Sequence, residues 1–186
     1  MQFINQKDLF MDHMCGRLVL INKIHPKTPT INDIRPITVL SPIRKFLELQ
    51  ISDKIKSFCI KNINKAQTGF IENLGTDINL YRICNFIVNY NKKASEDSRI
   101  IFIDFKAAFD SVPHDKLLKI VYERKFLNYF EMDLLNFLLK NSYLEINGKK
   151  FRIRKGVPQG SIISPLLFDI FMDDLVTHLK KTKNFF

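Results

Sequence analysis

The alternation of hydrophobic and polar positions in the first third of the chain predicts two strands and a long helix. Residues 16–23 and 34–40 are β-rich runs, and the prolines at positions 26 and 29 between them favour a loop. We expect these strands to pair as a hairpin. Ser41 followed by Pro42 is typical of a helix start, and the spacing beyond it predicts a helix to about Cys59. The predicted apolar face of this helix carries Ile43, Phe46, Leu47, Ile51, Ile55 and Phe58.

A second amphipathic helix is predicted after a loop at residues 66–73. Thr76 or Asp77 can cap its N-terminus. The polar run at residues 92–98 then predicts a surface loop. The apolar stripe of this helix falls on Leu80, Tyr81, Cys84, Ile87 and Val88.

The centre of the chain is the stretch 99–112, which reads RIIFIDFKAAFDSV. Its run of apolar and β-branched residues leads directly into Asp104 and predicts a short buried strand with a carboxylate at its end. Such a strand is a rigid platform for a metal ligand. The same pattern also fits a core strand with an acidic cap, so this stretch alone leaves both interpretations open.

Beyond that stretch the pattern predicts two helices, a hairpin and a final helix. The helices are expected near residues 117–122 and 130–139. Asn147-Gly148 favours a type I′ turn between strands at 143–146 and 151–154. Ser164-Pro165 is a second cap-plus-proline start, and it predicts a helix over residues 166–179.

The predicted hairpin has a basic face. Lys150, Arg152 and Arg154 alternate with Phe151 and Ile153, so the three cations share one side of the strand. This arrangement fits a nucleic-acid contact. It equally fits a solvated face that protects a sheet edge.

Composition narrows the classes of partner. The chain has 186 residues, 17 of them Phe, and a net charge of +10, which favours nucleic acid first and an anionic membrane surface or ribosome-like assembly second. Cys15, Cys59 and Cys84 lack metal-site spacing, which argues against zinc. We find no run long enough to span a bilayer and no targeting segment, so we expect an intracellular protein in an unspecified compartment.

A second candidate site is the loop GVPQGS at residues 156–161. Its two glycines let the backbone approach a ligand closely, and Gln159 offers both a donor and acceptors. Nucleotidyl transfer needs two divalent cations held by carboxylates from more than one strand. A strand ending in Asp104 could supply one of these carboxylates.

The chain resembles the reverse transcriptases of non-LTR retroelements and group II introns. Five collinear runs carry the resemblance, from about Leu18 to Leu175: RLVLINK, IRPITVLSPIRKFLE, QTGFIENLGTDINL, IFIDFKAAFDSVPHDKLL and GVPQGSIISPLLFDIFMDDL. It implies an α+β fold, the fingers and partial palm of a right-hand polymerase, with helices packed on a small antiparallel sheet. It further implies an N-terminal extension at 1–15, a fingers-like region at 16–98 and a partial palm at 99–186.

The resemblance assigns roles to individual residues. Asp104 would be a catalytic aspartate that binds Mg²⁺, beside the backbone of Phe105. Phe109 would be the gate that excludes a ribose 2′-hydroxyl. Arg35 would bind the incoming triphosphate, for which a guanidinium fork is suited, with Lys23 as a second phosphate contact.

The remaining assignments concern the nucleic acid. Gln159 and Gly160 match the loop beneath the incoming nucleotide, and Gln67 and Gly69 match a block that touches the template strand. The implied partners are an RNA template and a DNA or RNA primer, with no membrane.

The chain departs from the family pattern at its C-terminal end. Reverse transcriptases carry a Tyr-x-Asp-Asp hairpin after the glycine-loop helix, and Asp173-Asp174 falls within that helix instead. Adjacent helical residues point about 100° apart, so we expect Asp173 and Asp174 to be structural. We therefore expect the chain by itself to be inactive in RNA-directed DNA synthesis unless a protein partner completes the palm. The alternative is a domesticated, non-catalytic RNA-binding or structural subunit of a ribonucleoprotein or organellar assembly.

Overall fold

The computed structural model of the chain describes residues 12–30, 33–91 and 100–181. The predicted loop at 92–98, Arg99 and most of the predicted N-terminal extension lie outside these ranges. None of the described helices is long and apolar enough to cross a membrane. The elements are β1 (Cys15–Asn22), β2 (Ile34–Val39), α1 (Pro42–Asn62), α2 (Thr76–Asn91), a 3₁₀ turn (Phe109–Ser111), α3 (His114–Arg124), α4 (Tyr129–Lys140), β3 (Tyr143–Ile146), β4 (Lys149–Arg152) and α5 (Ser164–Lys181).

The strands form one four-stranded sheet in the order β2-β1-β3-β4. β1 and β2 pair antiparallel, as predicted. β3 and β4 are also antiparallel, and their turn residues Asn147 and Gly148 have φ angles of 51° and 73°, as a type I′ turn requires. A parallel pairing of β1 with β3 joins the two hairpins. The α+β architecture is thus confirmed.

The helices α1, α3, α4 and α5 enclose the hydrophobic core beside this sheet. The core contains residues from both the predicted fingers-like region and the predicted partial palm, so the described residues before and after position 99 share one core. The division into two regions at this position stays a prediction. Its fully buried members include Ile51, Ile55, Leu117, Val121, Leu135, Leu138, Leu167 and Ile170.

The first half of α1 buries a different face from the predicted one. The Ser41 side chain caps the helix at the backbone N–H of Arg44, as expected. Ile43 and Phe46, however, are 40% and 62% exposed, while Arg44 and Glu48 are buried. The apolar spacing was a poor guide here because the two charged side chains bind each other.

The predicted apolar stripe of α2 is exposed. Leu80, Tyr81 and Val88 are 63%, 68% and 54% exposed, and Cys84 and Ile87 are not buried. No other described helix or strand packs broadly against α2. The predicted helix is thus formed, but within the described residues its apolar stripe faces no core.

The predicted strand that leads into Asp104 is not formed. Residues 100–105 have no regular secondary structure, and Ile101, Phe102 and Ile103 are 82%, 83% and 69% exposed. A strand needs neighbours for its N–H and C=O groups, and the described residues place no strand beside this segment. The apolar run therefore meets the sequence criterion for a buried strand, but no described strand or helix covers it.

Candidate functional site

The glycine loop at residues 156–161 is fixed to the edge of the sheet on one side. The backbone N–H of Thr38 on β2 donates to the carbonyl of Gln159 at 2.7 Å. Gly160 has a φ of 119° and lies directly against the Thr38 carbonyl, so a Cβ there would overlap that oxygen. The close approach of loop and strand therefore requires glycine at this position.

The other side of the loop is held by the segment that leads into α3. The Gly156 N–H donates to Val112 O at 2.7 Å, and the Val157 N–H donates to Phe109 O at 2.9 Å. His114 lies 3% exposed, with its Nε2 2.7 Å from Gly156 O, which assigns the ring proton to Nε2 because a carbonyl only accepts. Burial lowers the pKa of His114, which favours the neutral form of the ring.

A buried ion pair on α1, between Arg44 and Glu48, contacts the residue that follows the glycine loop. Glu48 Oε1 lies 3.3 Å from Arg44 Nε, and Glu48 Oε2 accepts from the backbone N–H of Ile162 at 2.9 Å. Burial lowers the pKa of Arg44, and its Nη1 has no hydrogen-bond partner. Sequence reasoning missed this pair, although charged residues four apart on a mostly apolar helix face were a signal for it.

These contacts shape an open cleft of about 470 Å³ beside the loop. Four residues predicted to bind nucleotide come together there, and three of them, Arg35, Phe109 and Gln159, reach it from separate segments of the chain. The fourth, Gly160, follows Gln159 in the loop. The cleft is lined by Arg35, Phe70, Phe109, Pro158, Gln159, Gly160, Ser164 and Pro165.

Arg35 supplies the positive charge of the cleft. Its side chain is exposed, and among the described residues it has no ion-pair partner. The N–H of Lys23 donates to Asp33 O at 2.9 Å, which continues the β1–β2 register, so Lys23 and Arg35 project from the same face of the sheet. Lys23 is exposed and does not line the cleft.

Phe109 forms part of an aromatic row along one wall. Its ring stacks on Phe168 of α5, with centroids 4.8 Å apart and planes at 15°. On the other side it meets Phe70 edge to face at 5.8 Å and 89°, the arrangement that aromatic quadrupoles favour. The bulk of Phe109 is therefore held in place at the cleft.

Asp104 and Phe105 lie outside the residues that line the cleft. Both are exposed, and the Asp104 carboxylate has no hydrogen-bond or ion-pair partner among the described residues. The described residues contain no group of three or more acidic, histidine or cysteine side chains that could hold a metal ion. The assignment of Asp104 and Phe105 to a metal site stays a prediction.

The two residues predicted to touch the template strand, Gln67 and Gly69, have different surroundings. The side-chain Nε2 of Gln67 donates hydrogen bonds to Asp173 Oδ1 at 3.1 Å and to the Asp169 carbonyl at 3.3 Å. The donor of Gln67 is therefore used within the protein. Gly69 is exposed, with open space around it. Only Gly69 leaves room for a ligand here.

The basic strip on the hairpin is also partly engaged. Lys150 pairs with Asp12, and Arg152 donates from Nε and Nη2 to the carbonyl of Lys140 at 3.1 and 2.9 Å, at the C-terminus of α4. A cation there satisfies an unpaired helix carbonyl. Arg154 is exposed and has no such partner in the described ranges.

Asp173 and Asp174 form ion pairs within the protein. Arg124 binds both carboxylates, at 2.9 and 2.8 Å. Both residues lie within α5, and their carboxylates meet at this one guanidinium. No group of metal-ligating side chains in the described ranges includes them, and their structural role stays a prediction.

Comparison with known proteins gives the family. Residues 24–186 match the family described as reverse transcriptase (RNA-dependent DNA polymerase). The RNA-directed DNA polymerase from mobile element jockey of Drosophila melanogaster is 31% identical over 89% of this chain and 19% of its own length. A putative COX1/OXI3 intron 2 protein of Saccharomyces cerevisiae is 30% identical over 83% of this chain and 17% of its own length.

A third relative, the retrovirus-related Pol polyprotein from type-1 retrotransposable element R2 of Popillia japonica, is 25% identical over 80% of this chain and 21% of its own length. The chain thus spans about a fifth of the length of these relatives. The family match covers most of the chain and includes every segment that shapes the cleft. The chain therefore belongs to the reverse transcriptase family.

Proposed function

We propose that this chain supplies the nucleotide-binding and template-binding part of an RNA-directed DNA polymerase. The observation that carries the proposal is the meeting of Arg35, Phe109, Gln159 and Gly160 at one cleft. These residues come from a strand, a 3₁₀ turn and a glycine loop that are far apart in sequence. A charged fork, an aromatic wall and polar groups in one concave site are typical of ligand sites.

Each residue has a chemical role in this proposal. The Arg35 guanidinium binds the triphosphate of an incoming nucleotide, since its donors match phosphate oxygens in pairs. The Phe109 ring, fixed by Phe168, packs against the sugar and disfavours a 2′-hydroxyl. The Gln159 side chain hydrogen-bonds the nucleotide or the template, and Gly160 allows the loop to approach both.

The metal requirement concerns Asp104. Reverse transcriptases generally use divalent ions, and we propose that Asp104 is one ligand of Mg²⁺. Two cations need carboxylates from more than one strand, and the described residues provide no such group. The part of the chain that the structure describes therefore does not complete this site.

Replacing Arg35 with alanine tests the nucleotide site. We expect the affinity for dATP, in buffer with Mg²⁺, to fall about tenfold or more, because a charged hydrogen bond of this type contributes about 1.5–3 kcal/mol. The unfolding free energy should change little, since the side chain is exposed and makes no ion pair in the described ranges. Isothermal titration calorimetry measures the affinity and urea unfolding measures the stability.

The matched control is Arg35→Lys, which keeps the charge but loses the fork, and we expect an intermediate affinity. ATP should bind the natural chain more weakly than dATP if Phe109 excludes the 2′-hydroxyl. Equal dATP binding by natural chain and R35A would contradict the assignment. RNA binding without any binding of dATP would favour a non-catalytic RNA-binding subunit instead.

The hairpin arginines give a matched test of the nucleic-acid contact. RNA affinity should fall steeply with salt, because phosphate contacts release counterions. We expect Arg154→Ala to reduce the slope of log affinity against log salt by about 1. Arg152→Ala should leave that slope nearly unchanged and instead lower stability, since Arg152 binds Lys140 O. The opposite pattern would show that Arg152, not Arg154, meets phosphate.

A further inference from the structure

The neighbouring acids Asp173 and Asp174 on α5 have very different surroundings. Asp173 is 4% exposed, whereas the side chain of Asp174 is 66% exposed. Arg124 binds both, from Nη1 and Nη2 respectively. Within the described ranges, only the buried acid, Asp173, has further hydrogen bonds, and their donors lie outside α5.

Asp173 holds the base of the loop at residues 64–70. Its Oδ1 accepts from the backbone N–H of Asn64 at 2.8 Å and from Gln67 Nε2 at 3.1 Å. Its Oδ2 accepts from Arg124 at 2.9 Å. A buried carboxylate with three charge-assisted hydrogen bonds is a rigid anchor, and it joins α5, α3 and this loop at one point.

The other end of the same loop reaches the cleft. Phe70 has a φ of 56°, which is uncommon for a bulky residue and persists where surrounding contacts enforce it. Its ring is 58% exposed, lines the cleft and meets Phe109 edge to face. Phe109 rests in turn on Phe168, five residues before Asp173 on α5.

We propose that Asp173 is a positioning residue for the cleft. By tying loop 64–70 to α5, it places Phe70 beside Phe109, so that the two rings form the apolar wall against which a bound nucleotide packs. Asp173 does not itself line the cleft. The role rests on the proposed function of the cleft as a nucleotide site.

The chain contains no Trp, so the variant F70W provides a single indole that reports on this loop. We expect D173A in the F70W background to increase acrylamide quenching of the indole and shift its emission to the red. In the natural Phe70 background, D173A should weaken dATP binding about tenfold. D173N should lose less affinity than D173A, because Asn keeps the Oδ1 acceptor for both loop bonds although its amide N–H₂ group cannot accept from Arg124. D174A, which loses only an exposed contact to Arg124, should match the parent in both measurements.

The outcomes separate this role from the proposed function. Unchanged quenching and dATP affinity in D173A, with the helical circular-dichroism signal retained, would overturn the positioning role alone. Increased quenching in D173A, with no dATP binding by the parent chain, would overturn the nucleotide site alone. If D173A does not fold, the variant Q67A provides the quenching test instead, since it removes one of the two bonds between Asp173 and the loop. Q67A should then raise quenching above that of D174A, and equal quenching would overturn the proposal.

Discussion

Replacing Gly160 with alanine is expected to lower the free energy of unfolding by about 3 kcal/mol or more, and to displace the glycine loop from β2. The backbone at Gly160 has a φ of 119°, a conformation that costs other residues about 1–3 kcal/mol. The added Cβ would also overlap the carbonyl of Thr38. Relief of that overlap requires the loop and strand to separate, which stretches the bond from Thr38 N to Gln159 O.

The matched control is Gly69→Ala. Gly69 has no heavy atom within 4 Å of an added Cβ and no left-handed φ, so its stability should stay within about 0.5 kcal/mol of the natural chain. Urea unfolding followed by circular dichroism measures both variants. A stability for G160A equal to that of G69A would show that the loop does not lie against β2 as described.

The effect should extend to ligand binding. Gln159 and Gly160 both line the cleft, and Arg35 lies on the strand that the loop would leave. G160A should therefore lose dATP affinity even at temperatures where it stays folded. Loss of stability without loss of dATP affinity would place the nucleotide elsewhere.

Local signals in the sequence predicted local structure well. The Ser41 cap and Pro42 fix the start of α1, and Asn147-Gly148 fixes the turn between β3 and β4. In each case the determining interaction lies within a few residues of the signal. The strands that these signals delimit then pair as predicted.

Predictions that depended on distant partners were less successful. The run into Asp104 meets the criterion for a buried strand, but the described residues place no strand beside it, and Phe102 is 83% exposed. The strand pattern also gave no sign of the partner of Arg152, the Lys140 carbonyl, because that carbonyl belongs to the preceding helix. A pattern of side chains along one segment carries no information on what faces it.

The same difference between local signals and distant contacts applies to the candidate site. The five runs of the family resemblance identified Arg35, Phe109, Gln159 and Gly160, which the structure brings to one cleft. The spacing of Arg44 and Glu48, four residues apart on α1, was a local signal for their pairing. The bond from the Ile162 N–H to Glu48 Oε2, by which the pair supports the loop, joins distant parts of the chain, and neither periodicity nor motif spacing encodes it.

Replacing Asp169 with asparagine is expected to stabilise the protein at pH 8 and to remove much of its pH dependence between about pH 4 and 7. Asp169 lies on α5, 5% exposed, and its Oδ2 has no hydrogen-bond partner. Burial raises its pKa to about 7. The buried carboxyl group therefore keeps its proton well above the pH at which an exposed aspartate loses it.

Among the described residues, no cation forms an ion pair with Asp169. Asp173, one turn further along α5, is a second carboxylate. Cys59 on α1 is a buried thiol whose pKa burial raises to about 12, with smaller contributions from Asp169 and Asp173. Arg124, the cation that pairs with Asp173, is bound to both Asp173 and Asp174.

The direction of this pH dependence of stability follows from proton linkage. Between about pH 4 and 7 the folded state keeps a proton on Asp169 that the unfolded state releases, so stability falls as the pH rises through this range and levels off above it. A pKa raised this far corresponds to at most about 4 kcal/mol. D169N carries no charge in either state and should escape the loss.

The measurement is urea unfolding of the natural chain and D169N from pH 4.5 to 8. The difference in unfolding free energy should be small at the acidic end and grow with pH in favour of D169N. His114 contributes with the opposite sign, because a lowered pKa costs stability as the pH falls, but it is common to both chains and cancels in the difference. The exposed neighbour supplies the control, since D174N should show no such trend. A difference between D169N and the natural chain that does not vary with pH would mean that Asp169 is ionised throughout, and that its buried oxygen has a partner in solution.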